Sequence, residues 1–134
     1  MSTFQLKIVT PDNIKFEGQA QKIIVRTVAG DICILAGHID YIAPLGIGEA
    51  KLVDSEGNER LAACNSGFLS VAKGEVCIAS TTFEWADEID RERAQASKEK
   101  SEQVLSNTSR GDAEYALADA RMRRALARLN VSNR

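Results

Sequence analysis

The chain changes character near Trp85, and that break limits what it can fold into more than any other feature. Eight of its nine glycines stand before Trp85, and only Gly111 follows it. After the break the sequence is rich in Ala, Glu, Arg and Lys, all good helix formers. Before it, short apolar stretches are separated by turn residues. Two such regimes within 134 residues point to a β domain followed by a small helical one. The boundary is expected between residues 1–85 and 86–134.

The first part reads as short strands. Phe4, Leu6 and Ile8 alternate with Gln5 and Lys7, the period of a half-buried strand. Pro11-Asp12-Asn13 turns the chain. Ile14 and Phe16 mark a second strand closed by Glu17-Gly18, and residues 22–28 and 32–35 supply two more. Residues 41–53 are strand-like, with Pro44, Gly46 and Gly48 implying an edge or a bend. Residues 60–64, 68–71 and 76–82 complete the set, separated by Asn65-Ser66-Gly67 and Lys73-Gly74. This pattern predicts an antiparallel β-sandwich or flattened barrel.

The second part predicts two helices. Asp87-Glu88 places negative charge at the start of a helix over about 88–105. Residues 106–111 form a loop, and Asp112 is a suitable N-cap for the next helix. There Tyr115, Ala118, Met122, Ala125 and Leu129 recur at spacings of three and four, an apolar stripe. The short loop folds the pair into an antiparallel hairpin. Its core is thin: the first helix offers Ile89, Ala94, Ala96, Val104 and Leu105. Burying a Leu or Val contributes about 1.5–3 kcal/mol, and an alanine far less. Ordering one residue costs about 1–2 kcal/mol. Such a hairpin needs the sandwich, a ligand or a partner to stay closed, which marks it as a moving part.

Several function classes are disfavoured. The 17 basic and 19 acidic residues leave a net charge of −2, against a general nucleic-acid binder. Cys33, Cys64 and Cys77 lack metal or redox spacing, and with a single histidine they read as small core filler. No signal or transit pattern opens the sequence, and no apolar run reaches membrane-spanning length. The expected location is therefore cytosolic, or peripheral on the cytosolic side of a membrane, without direct insertion. No Walker loop or GxGxxG fingerprint occurs. His38 with Asp40 is a possible base pair, but a turn histidine in structural hydrogen bonds is the simpler reading. Paired acids such as Asp87 and Glu88 read as helix-start charges. No catalytic or metal-binding set is expected.

One constellation is charged and co-facial. Asp90 and Arg93 lie three apart, and Lys100 lies two turns beyond Arg93. Arg124 and Arg128 lie four apart on the second helix, in a basic end running from Arg121 to Arg134. A closed hairpin brings Arg93, Lys100, Arg124 and Arg128 toward one another. Guanidinium forks of that kind suit phosphate oxygens. The plain alternative is an Asp90–Arg93 surface pair and solvated arginines.

The order of these pieces resembles the ε subunit of the bacterial F-type ATP synthase. The matching pieces are Val9-Thr10-Pro11-Asp12, Gly37-His38 followed by Ala43-Pro44-Leu45, Ser66-Gly67-Phe68, and Ile89-Asp90 with Arg93-Ala94. Residues 123–131 fit as well. The resemblance implies a non-catalytic rotor subunit. Its sandwich grips the γ subunit and the membrane c-ring, and its hairpin either folds against the sandwich or extends toward the α/β catalytic ring and inhibits hydrolysis. It also implies ATP as a regulatory ligand, with no cofactor required, and a peripheral place on the cytoplasmic side of the bacterial membrane. The ATP-binding positions carried over are Glu84, Ile89, Asp90, Arg93, Ala94, Lys100, Arg124 and Arg128. Lys100 stands where the family usually has Arg, which keeps the charge and loses the fork. Two other readings compete: a free-standing nucleotide-sensing protein, and a small enzyme built on His38.

Overall fold

The computed structural model describes residues 2–132. Six strands come first: β1 (Phe4–Val9), β2 (Ile14–Thr27), β3 (Gly30–Leu35), β4 (Tyr41–Asp54), β5 (Glu59–Ala72) and β6 (Glu75–Trp85). A single 3-10 turn (Ala86–Glu88) leads into α1 (Arg91–Asn107) and α2 (Ala113–Ser132). The hydrogen-bonded order is β1-β6-β5-β4-β2-β3. A further β1–β2 ladder closes five strands into a flattened barrel, with β3 hung on β2. Every pairing is antiparallel except β1 with β6.

Alternation drives the packing. Phe4, Leu6 and Ile8 point inward with Ile23, Val25, Leu52, Leu69, Ile78 and Phe83 to form one core. Burial of that apolar area is the main favourable term in the fold. Of the three cysteines only Cys64 is core filler, its thiol pushed up by burial; Cys33 is exposed and Cys77 half-buried. Cys33 lies on β3, which pairs with β2 alone, so no second layer covers its outward face.

Two sequence breaks are not breaks. Glu17-Gly18 lies inside β2, paired continuously with β1 across Lys7 and Leu6. Asn65-Ser66-Gly67 lies inside β5: Asn65 and Gly67 are paired to both neighbouring strands, and only Ser66 is skipped. Ser66 and Gly67 take φ of 39° and 121°, so the strand kinks without ending. The buried Ser80 hydroxyl sits beneath the kink, 2.9 Å from the Asn65 carbonyl, 3.0 Å from that of Ser66 and 2.7 Å from that of Thr82. Its single O–H proton has these three carbonyls within reach and donates to one at a time. Pro44, Gly46 and Gly48 mark a bend, since β4 is flanked by β2 and β5 and its register to β2 shifts nearby.

The first helix begins later than residue 88. Glu88 folds back into the 3-10 turn, Ile89 is extended, and Asp90 caps α1 by accepting the Arg93 backbone N–H at 3.1 Å. The Asp90–Arg93 surface pair is therefore replaced by a cap, and the carboxylate meets the Arg93 backbone instead of its guanidinium. Asp112 offers its carbonyl to Tyr115 and Ala116, while its carboxylate accepts from Ser109 and ties the loop.

The hairpin core is as thin as its sequence implies. On α1 only Ala94 and Ser101 are buried, and Ala96 is exposed. On α2, Ala118, Ala125 and Leu129 of the expected stripe are buried, with Tyr115 and Met122 half-buried. A second face of α2 uses Ala127 and Val131 to seat on Ala63, with Ile47, Leu61, Ala86 and Ile89 alongside. Thus α2 lies between α1 and the barrel. No helix among the described residues is long and apolar enough to cross a membrane.

Candidate ligand site at the barrel–hairpin junction

Trp85 anchors the junction. It is buried, meets Phe83 edge-on at 5.0 Å, and donates its indole N–H to the Lys15 carbonyl at 3.3 Å. The Arg60 guanidinium stacks 3.7 Å above the ring centroid. Its backbone N–H goes to Glu88 at 2.9 Å, and Glu88 also accepts from the Lys15 ammonium at 2.8 and 3.0 Å. Barrel strand β2, the end of β6 and the start of the hairpin are thereby tied at one point.

The Lys15 ammonium, first, and the Trp85 N–H, second, hold the Glu88 carboxyl below its ordinary value. A lowered folded pKa means that this tie is complete above the ordinary carboxylate range. It is lost as pH falls through the depressed value. Acid should therefore loosen the junction around the single tryptophan. Trp85 fluorescence followed against pH should show an acid limb that Glu88→Gln flattens; identical limbs in the two proteins would exclude the tie as its source.

Beside this anchor opens a cleft of about 520 Å³. The barrel contributes Thr10, Asp12, Lys15 and Glu84; α1 and its cap contribute Asp90, Arg93, Ala94 and Ser97; α2 contributes Arg128. Arg128 Nε donates to Glu84 at 2.6 Å, with both side chains about one-third exposed. No carboxylate of the described residues is within ion-pair distance of Arg93. Asp90 lies at the N-terminus of α1 and Arg93 in its first turn, so cap and guanidinium face one opening.

The structure thus brings Glu84, Asp90, Arg93, Ala94 and Arg128 together in one cleft. Arg124 sits next door, lining a small hollow with Glu84 and Arg128. Ile89 packs into the apolar contact under α2, and Lys100 is exposed on α1 without lining the cleft. Arg134 lies outside the described residues. Sequence reasoning missed Lys15 and Glu88, whose pair joins residues 73 apart and leaves no local signal. His38 is structural: Nδ1 lies 2.8 Å from the Ile39 carbonyl, while Asp40 accepts the Lys73 N–H at 2.9 Å.

The chain is thus a closed barrel carrying a helical hairpin, with an ionic cleft where the two join. Residues 3–86 match the family described as ATP synthase, Delta/Epsilon chain, beta-sandwich domain, and residues 87–133 match its long alpha-helix domain. The chain belongs to this delta/epsilon chain family of ATP synthase subunits. It is similar over its whole length to the ATP synthase epsilon chain of Ruminococcus albus, 38% identical and covering 100% of this chain and 99% of that one. The epsilon chain of Clostridium novyi is 43% identical over 88% of this chain and 92% of that one. The fold also matches a chain in the cryo-EM structure of the Euglena gracilis mitochondrial ATP synthase OSCP/F1/c-ring, with TM-score 0.86 and 20% identity, over 100% of this chain and 83% of that one.

Proposed function

We propose that the chain is the regulatory rotor subunit of a bacterial F-type ATP synthase, with residues 1–85 docking on the rotor and 86–134 acting as an ATP-sensitive hairpin. The carrying observation is the junction cleft, where barrel, α1 and α2 each supply charged groups to one opening. A ligand held there binds the closed hairpin and has no equivalent site once the helices leave. Arg93 and Arg128 suit phosphate oxygens, with Arg124 and Lys100 adding positive charge nearby. Asp90, Ala94 and Ile89 then flank the remainder of the nucleotide.

Docking is supported by the barrel's exposed apolar side chains. Ile39, Ile42 and Phe68 are each more than half exposed, a cost that a partner surface removes. Pro44 pairs with Phe68 across β4 and β5, so the two face the same side. In this reading γ and the c-ring cover the barrel, and the α/β ring receives the extended hairpin. The subunit sits peripherally on the cytoplasmic face of the membrane, performs no catalysis, and needs no cofactor. The same apolar side chains weigh against a free-standing nucleotide sensor.

Energetics allow the switch. A ligand that binds only the closed form at a hundred times its Kd adds about 2.7 kcal/mol, enough to shift a balanced equilibrium about a hundredfold. The test uses a cysteine-free background with one new cysteine on the barrel and one on α2. Cross-linking should raise ATP hydrolysis by the assembled enzyme and leave synthesis intact. Equal hydrolysis by locked and unlocked complexes, with and without added nucleotide, would refute the inhibitory switch.

A further inference from the structure

Three neighbouring strands share a crease. On β5 the core-facing residues are Ala62 and Cys64, then Leu69 and Val71, so the inward positions pass from even to odd. The same kind of change occurs on β4, from Leu45 to Ala50 and Leu52, and on β6, from Val76 and Ile78 to Phe83 and Trp85. Yet the registers of β4 with β5 and of β5 with β6 run through without a shift. The extra residues therefore stand in one line, Gly46, Ser66 and Thr81, the row that drops out of the pairing on both sides of β5. A step of one residue sends every later side chain to the opposite face.

The crease decides what the outer face of the sheet presents. On one side of it Pro44, Phe68 and Ala79 form an exposed row. The next outward row is Ile42, Ser70 and Cys77, so the two rows together carry no charge. Phe68 and Ile42 are 58% and 71% exposed. Uninterrupted alternation from Cys64 would bury Phe68 and turn Leu69 outward. On the other side of the crease Ala63 faces out and seats α2 through Ala127 and Val131.

Ser80 ties the crease from within. Its buried hydroxyl reaches the Asn65 and Ser66 carbonyls on β5 and the Thr82 carbonyl on its own strand. The Cys64 thiol lies 3.4 Å from the same oxygen. Outside, the hydroxyls of Ser66 and Thr81 lie 3.4 Å apart.

Resting on the docking reading above, we propose that Ser80 is a positioning residue for partner docking: it fixes the crease that turns Phe68 outward, and the γ subunit occupies the uncharged rows. Ser80 is buried and touches no partner, so it acts through Phe68. The rows are continuous with the face that seats α2. A subunit covering them lies beside the hairpin's path toward the α/β ring, which in that reading is the place of γ, while the c-ring lies on the membrane side.

Binding of the full chain to immobilised γ, measured across a double-mutant cycle, tests this. Phe68→Ala should weaken binding about tenfold, as the loss of an aromatic anchor. Ser80→Ala should weaken it about fivefold when Phe68 is present, and less than about twofold in a Phe68→Ala background. A merely destabilising change lowers the folded fraction and gives no such coupling in the Kd of the folded chain. Equal losses in the two backgrounds would overturn the role of Ser80 while leaving the docking reading intact. If Ser80→Ala does not fold, Ser80→Cys, near in size and a weaker donor, takes its place in the cycle. Unchanged γ binding by Phe68→Ala, with weakened c-ring binding, would overturn γ as the occupant; unchanged binding to both would remove the docking reading of this face. Amide exchange gives an independent reading. In Ser80→Ala the Gly67 and Phe68 amides should exchange at least about tenfold faster, with Ala62 and Ala63 unmoved. A uniform change along β5 would mean that Ser80 does not pin the crease.

Discussion

Gly67→Ala should unfold the barrel or cost at least about 4 kcal/mol in urea denaturation, well above the effect of an ordinary point change. Two causes act together. Gly67 has φ of 121°, a conformation that L-residues rarely adopt, which alone costs about 1–3 kcal/mol. A Cβ there would also overlap the Ala79 carbonyl oxygen and press on the backbone of Ser80. Those are strand atoms of β6, paired directly opposite, and cannot rotate away as a side chain tip would. The control is Gly57→Ala. Gly57 has φ of 87° in the β4–β5 turn but nothing near its Cβ position, so only the conformational cost applies, about 1 kcal/mol. If Gly67→Ala proved as mild as Gly57→Ala, the kink in β5 would be a soft feature, and the contact with Ala79 would be relieved by local movement.

Trp85→Ala should be nearly as severe, with a loss of about 3–5 kcal/mol for a buried aromatic truncated to a methyl. The value should fall toward the upper end, since the ring also carries the Arg60 guanidinium and a hydrogen bond to Lys15. Trp85→Phe separates the two parts. It keeps the edge-on partner Phe83 and the surface under Arg60 but loses the indole N–H. Its cost should be near 1 kcal/mol, the net worth of one hydrogen bond. Hydrogen exchange should show the first turn of α1 opening more often in Trp85→Ala than strands β4 and β5 do. Uniform loss of protection would mean that Trp85 serves the barrel alone and does not tie the hairpin.

The barrel's strands were legible because alternation is a period that survives without knowledge of partners: Phe4, Leu6 and Ile8 are inward in the sequence pattern and in the fold alike. In the sequence alone Asn65-Ser66-Gly67 reads as a turn, for a local reason. Asn, Ser and Gly favour the same backbone conformations in a turn and in a strand irregularity, and only the pairing of Asn65 and Gly67 with both neighbouring strands distinguishes them. The sequence places the first helix early because Asp87 and Glu88 look like first-turn acids. Glu88 instead pairs with Lys15, 73 residues away. Of the site, Asp90 and Arg93 carry a local spacing signal, whereas Glu84 and Arg128 meet only through the docking of α2 onto the barrel. Charge and helical spacing group Lys100 with the arginines, but its position on α1 places it outside the cleft lining.

The seam between α1 and α2 has a consequence for solubility. Ala94 and Ser101 on one helix and Ala118 and Ala125 on the other are the small side chains that the pairing hides. Drawing the helices apart wets methyl and hydroxyl groups, not a row of leucines. Each uncovered alanine costs far less than the 1.5–3 kcal/mol or so of an exposed Leu or Val. On the α2 side the larger apolar surface is confined to Leu129, with the half-buried Tyr115 and Met122, so most of the seam between the helices gives a stray chain little to grip.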